Sequence, residues 1–329
     1  MSGKRAFEEQ IAALDELRTK PGTERSTALR KALGQRNNFL VAKAADLARE
    51  FELKELTPEL LAAFDRFFKD AVKSDPQCWA KNALSRTLAQ FEHHDAAVFL
   101  RGMKHIQLEP VWGGTSDSAA TLRATCAVAL VQCRSLTDTE LLAHLIELFA
   151  DEEKSVRAAA AQAIEQVGSP SSALLLRLKA MIGNDEPEVL GACYGGILRL
   201  EGGKAIPWIA RFLQNNDESE EDAAGEAALA LAATHSTAAF EALRGRFEQP
   251  SDAWFRSVLL SAIALTRLDE ATDFLFSLIQ REDLSAEAAV EAVLRSLPSG
   301  EVSSRLEKLV AGNPRLKRVF AANRAEPRK

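Results

Sequence analysis

The chain is 329 residues long, 47% hydrophobic and only 6% aromatic, and its 41 Lys and Arg against 47 Asp and Glu leave a net charge of −6. This length suffices for two ordinary domains or one continuous array, and the composition excludes a disordered chain and a global positive field that would hold nucleic acid by its phosphates. The four cysteines, Cys78, Cys126, Cys133 and Cys193, form no CxxC pair and lack zinc-knuckle spacing, which excludes a disulfide framework and fits a reducing compartment.

The opening "MSGKRAFEEQIAALDELRTK" carries charges where a signal peptide needs an apolar core, and residues 1–25 are expected to form a capping helix. No uninterrupted apolar stretch reaches the about 20 residues of a membrane span, so a soluble cytoplasmic protein with no membrane partner is expected. From residue 26 to 312 one kind of helix recurs. Two weaker copies, "NNFLVAKAADLARE" and "CWAKNALSRTLAQF", carry the late aliphatics Leu47 and Leu88. Clearer copies follow: "ATLRATCAVALVQC", "KSVRAAAAQAIEQVG", "PEVLGACYGGILRLEGG", "DAAGEAALALAA", "WFRSVLLSAIAL" and "SAEAAVEAVLRSL". Their landmarks Leu130, Ile164, Ile197, Leu231, Ile263 and Val293 step by 34, 33, 34, 32 and 30, whereas the two earlier steps are 41 and 42.

Companion helices alternate with these. Thr57 with Pro58, Asp95, and the capping box Thr137 with Glu140 open three of them; "SSALLLRLKAMIG", "KAIPWIARFLQ", "TAAFEALRGRF" and "ATDFLFSLIQRE" continue the series. Each unit is therefore a helical hairpin. A lone hairpin cannot cover both its apolar faces, so hairpins stack, and small residues such as Ala159, Ala160, Ala163, Gly195 and Gly196 let helices approach. The expected fold is all-α, a right-handed α-α superhelix (solenoid) of about eight stacked helical hairpins.

With second helices reading like "DEEKSVRAAAAQAIEQVG" from Asp151, the chain resembles HEAT repeats, and more loosely armadillo and the bilin-lyase type of HEAT-like repeat. The resemblance covers about residues 26–310 and is clearest from 117 to 310. It implies a ladder between a turn aspartate and a basic residue of the second helix. Asp75 and Lys81, Asp117 and Arg123, and Asp151 and Arg157 stand six apart in this way; Leu190 then takes the basic slot and Ala224 falls near the next.

The pattern breaks at "LEPVWGGTSDSAATLR", residues 108–123. Measured against the later step, the unit ending at Leu130 has about eight surplus residues. The helix "DAAVFLRGMKHIQ" is expected to stop at Pro110 and the next to begin near Ser116 to Ser118, leaving an insertion loop near 108–116 with Trp112 upon it. Two readings stand: the indole folds back as a lid over misfitting layers, or it is an aromatic anchor for a partner. On either reading Gly113 and Gly114 supply backbone angles that other residues avoid.

Other constellations are weaker. His105 and Glu109, four apart, share a helix face near His94, but no HExxH or second ligand pair accompanies them, and no metal is expected. The cysteines fall in slots that accept small apolar side chains, which reads as buried thiols. The glycines of "GACYGGILRLEGG" lie at packing positions and make no phosphate loop. An acidic run at 215–226 reads as a solvated helix start, and the basic tail 313–329, with Arg315, Lys317, Arg318, Arg324, Arg328 and Lys329, as an end cap or frayed tail.

No catalytic motif appears, and no cofactor is expected. Three functions compete: a non-catalytic scaffold holding a protein or peptide in a groove lined by the second helices, with the Trp112 loop at its rim; a DNA-repair enzyme like the HEAT-like alkylpurine glycosylases, built on Trp79, Trp112 and an Asp beside Lys81, Arg123 and Arg157; and a bilin-lyase-like protein. The first needs nothing the sequence lacks. It places partner contacts at His105, Glu109, Trp112, Lys81, Arg123 and Arg157, with Asp75, Gly113, Gly114, Asp117 and Asp151 as turn and ladder residues.

Overall fold

A computed structural model describes residues 2–214, 221–296 and 300–325. The protein is an all-α helical-repeat fold interrupted by one two-stranded sheet among the described residues. Two compact units, Met1–Val167 and Gly168–Lys329, are distinguished within it.

In the first unit α1 (Ser2–Asp15) precedes four hairpins. These are α2 (Gly22–Leu33) with α3 (Asn38–Glu50), then α4 (Thr57–Arg66) and the short α5 (Ala71–Ser74) with α6 (Trp79–Gln90). Next come α7 (Ala96–Met103) with α8 (Ala120–Leu130), separated by β1 (Leu108–Val111) and β2 (Gly114–Asp117), and finally α9 (Asp138–Glu147) with α10 (Lys154–Val167). The second helices α3, α6, α8 and α10 stack in series.

The second unit adds α11 (Pro170–Ile182) with α12 (Pro187–Glu201), α13 (Ile206–Ala210) with α14 (Glu221–Ala232), and α15 (Thr237–Phe247) with α16 (Ala253–Leu265). Two further pairs follow, α17 (Asp269–Gln280) with α18 (Ala286–Ser296) and α19 (Gly300–Val310) with α20 (Pro314–Ala325). Here α12, α14, α16, α18 and α20 stack in order. Among the described residues there are thus nine hairpins, one more than the eight landmarks. The extra one contains the expected basic tail: α20 packs on α18 with Leu316 and Phe320 buried, because its apolar positions fall on one helical face. Arg328 and Lys329 lie outside the described residues, as does the acidic run from 215 to 220.

The landmarks are the interlayer core. Leu47, Leu88, Leu130, Ile164, Ile197, Leu231, Ile263 and Val293 are all buried, one on each second helix from α3 to α18. Truncating such a residue to alanine typically costs about 2–5 kcal/mol. The helix starts follow from local chemistry: Asn37, Asp95, Ser169, Ser236 and Asp252 each accept a backbone N–H of the helix they precede, and Thr137 with Glu140 forms the capping box. Thr57 differs, since it is itself the first residue of α4 and its hydroxyl donates back to the Lys54 carbonyl.

Small residues do set close approaches. Gly102 of α7 lies so near Cys126 of α8 that a methyl group there would overlap the sulfur. All four thiols are buried, and burial raises each pKa, to about 12 at Cys78 and Cys193 and about 11 at Cys133.

Candidate partner-binding hairpin and cleft

The surplus residues before α8 fold as a β-hairpin. Helix α7 ends at Met103, well before Pro110, so His105 and Glu109 do not share a helix face. Leu108, Glu109, Pro110 and Val111 lie opposite Asp117, Ser116, Thr115 and Gly114, and Trp112 with Gly113 makes the two-residue turn. Gly113 has φ +89°, the left-handed value the second turn position requires; Gly114 is an ordinary strand residue, not a second left-handed one. The following helix begins at Ala120.

A partly buried polar network fixes the hairpin's base. The Glu109 carboxylate accepts from the Gln77 backbone N–H at 2.6 Å, the Ser118 hydroxyl at 2.6 Å and the Gln107 side-chain amide at 2.7 Å. The same amide donates to the Asp75 carbonyl at 2.8 Å, and the Gln107 carbonyl receives the Ser118 N–H. Asp117 Oδ1 accepts the N–H groups of Gln107 and Ala119, while its other oxygen meets Arg123 Nη1. Burial pushes the Glu109 and Asp117 carboxyls up, but these donors outweigh it and hold both below their ordinary values. His105, half-buried against Phe68, has its pKa lowered by burial; its ring contacts Gln107 and its carbonyl accepts from Arg123.

The network belongs to a ladder along the starts of the second helices. Asn38 donates to Asp75 Oδ1, and Asp75 accepts the N–H groups of Ala80 and Lys81 and the Lys81 ammonium at 2.9 Å. Arg123 joins Asp117 to Asp151, forking onto the latter at 2.7 and 2.8 Å. Arg157 donates to the carbonyls of Asp151 and Glu152. In the second unit the buried Leu190 replaces the basic residue, and Asp185 pairs instead with Lys179 at 2.5 Å.

This arrangement corrects part of the expected partner surface. Lys81 is 0% and Arg123 3% exposed, each neutralised by an aspartate, so both are internal struts rather than contacts. His105 and Glu109 orient the hairpin, and their hydrogen bonds go to the scaffold. Trp112, in contrast, is 103% exposed, and the lid reading fails because the indole covers nothing. Ile106, Leu108 and Val111, which precede it in the chain, are also more than half exposed. None of these three was singled out from the sequence, nor were Gln77, Gln107 and Ser118. The available signal was Gly113 with polar residues on both sides of it, Gln107 and Glu109 before and Asp117 and Ser118 after.

A second feature lies in the same unit. A cleft of about 410 Å³ opens between α3 and α6, floored by Phe39, Ala42, Leu47, Trp79 and Ala83. Trp79, 45% exposed, stands edge-on to Phe39 at 5.5 Å. The cleft's charges are paired among themselves and their neighbours: Arg18 forks onto Glu50, Lys43 meets Asp15 at 2.8 Å, and Asp46 meets Arg49 and Arg86. Both aromatic residues sit at the first turns of α3 and α6, the end where the Asn38–Asp75 rung leads to the hairpin.

Among the described residues no three His, Cys, Asp or Glu side chains gather as a metal-binding group, and no helix is long and apolar enough to cross a membrane. The chain matches no protein-family model and no curated protein.

Proposed function

We propose that this protein is a non-catalytic helical-repeat scaffold that binds a protein or peptide partner through the Trp112 hairpin and the neighbouring α3–α6 cleft. The observation that carries the reading is the contrast between the hairpin's base and its tip. The base is fixed by at least six hydrogen bonds to Glu109, Gln107 and Asp117, while Trp112 and Val111 at the tip, and Leu108 nearer the base, stand out in water. Fully burying an exposed side chain of this kind is worth about 1.5–3 kcal/mol, and the free protein forgoes all of that at Trp112 and part of it at Val111 and Leu108. A pre-ordered aromatic and aliphatic cluster is the composition of a binding hot spot, because little conformational entropy is lost on contact. The paired charges around the cleft favour a partner of mixed polarity over a polyanion. Lys81 and Arg123, the cations that a DNA-binding channel would use, are already committed to aspartates.

Photo-crosslinking tests this reading. With p-benzoylphenylalanine in place of Trp112, irradiation in the native host is expected to join a discrete partner, whereas the same group at exposed Thr27 is not. Trp112→Ala should leave thermal unfolding unchanged. Absence of any crosslink specific to position 112, or a clear fall in melting temperature for Trp112→Ala, would refute the proposal.

A further inference from the structure

The hairpin is blocked along one edge and open along the other. Opposed residues of an antiparallel pair alternate between those that exchange both backbone hydrogen bonds and those whose N–H and C=O groups point outward. The two-residue turn makes Val111 and Gly114 an exchanging pair, Glu109 and Ser116 the next, and leaves Pro110 with Thr115 and Leu108 with Asp117 as outward pairs. Pro110, without an N–H, breaks the outer edge of β1, the device that keeps a neighbouring strand away. On β2, Thr115 and Asp117 each point an N–H and a C=O away from β1, and Gly114, Thr115 and Ser116 are exposed.

The surroundings describe what would fit there. A side chain added at Gly114 would meet no atom within 4 Å, so the space beside Val111 and Trp112 is open. No charged residue occurs from 110 to 116. At the base of β2, Arg123 ties Asp117 to Asp151, which brings in the acidic turn that continues with Glu152 and Glu153. A second copy of this chain would offer its own Gly114–Asp117 strand, which carries neither a large apolar nor a basic side chain.

We infer that an extended segment of a partner protein adds to β2 as a third, antiparallel strand, with a large apolar side chain across from Gly114 and a basic residue three positions earlier, across from Asp117 on the face where one guanidinium already serves two carboxylates. Main-chain bonds to Thr115 and Asp117 hold the segment, and the apolar residue covers Val111 and Trp112. This rests on the reading of the hairpin as a partner-facing surface and adds the mode and chemistry of the contact.

The test uses the full-length protein and a fluorescein-labelled peptide, Thr-Lys-Val-Thr-Phe-Thr, followed by fluorescence polarisation. Saturable binding is expected, weakened at least tenfold by Thr115→Pro, which removes an N–H the hairpin itself does not use. N-methylation of the peptide's second and fourth residues should abolish binding, and N-methylation of its third and fifth should not; this comparison stands even if Thr115→Pro disturbs the fold. Binding that ignores both N-methyl patterns but is lost in Trp112→Ala would overturn strand addition while leaving the partner surface intact. No binding at millimolar peptide would also overturn the inference, and the crosslink at position 112 then judges the broader reading separately.

Discussion

Replacing Arg123 with Met should unfold the first unit at a markedly lower temperature, and the structure sets the size of the effect. The guanidinium serves three acceptors at once: the carboxylates of Asp117 and Asp151 and the His105 carbonyl. The aspartate side chains are only 10% and 11% exposed, so methionine leaves two nearly buried anions without their counter-charge. Removing one partner of such a group costs about 3–5 kcal/mol. For a unit of this size each kcal/mol is worth roughly 2–4 °C, so a fall of about 6–20 °C is expected by differential scanning calorimetry. Adding Asp117→Asn and Asp151→Asn to Arg123→Met should recover at least half of the loss, because the amide oxygens still accept the backbone N–H groups while the uncompensated charge is gone. A fall below about 2 °C for Arg123→Met, or a triple variant weaker than the single one, would refute the view that Arg123 is an internal strut.

Gly102→Ala should cost about 1–3 kcal/mol by overpacking against the Cys126 sulfur, and most of the loss should vanish in a Cys126→Ala background; denaturant unfolding of the four chains of this cycle checks it. Glu226 of α14 has its pKa raised by burial and by Glu188 and Asp222, so its ionisation opposes folding: stability is complete below pH 4.5 and is lost as pH rises through the raised folded value. Glu226→Gln should therefore raise the melting temperature at pH 7 by about 1–3 °C, with the gain disappearing in acid; a gain that persists at pH 3 would contradict the sign. The four thiols should resist a water-soluble disulfide reagent in native protein and react fully in 6 M guanidinium, and rapid labelling of any one without unfolding would show that its burial is wrong.

The repeat was legible because its physics is local and periodic. Leu130, Ile164 and Leu231 recur at nearly constant steps, since each second helix presents the same face to the next layer, and Thr137 with Glu140 states its helix start within four residues. The last hairpin escaped notice because the basic residues of 313–325 dominate a short helix whose buried stripe rests on Leu316 and Phe320.

The hairpin shows where sequence reasoning met its limit and why the correction bears on function. Proline, tryptophan and paired glycines marked an irregular segment, but "LEPV" and "GTSD" lack the alternation of a half-buried strand because neither face of this hairpin is buried. What holds it is non-local: Gln77, Glu109 and Asp117 are brought together only after α6 and α8 have packed. Gln77 and Cys78 both adopt left-handed backbone, φ +58° and +54°, a conformation that costs of order 1–3 kcal/mol at each such residue. The strain persists because the Gln77 N–H meets Glu109 and the Cys78 side chain is buried. Fixing the hairpin by strained backbone and a ladder rung, while leaving its apolar tip in water, makes poor sense as packing alone. It is intelligible if the ladder that stiffens the repeats also holds Trp112 and the open edge of β2 in the position that a partner meets.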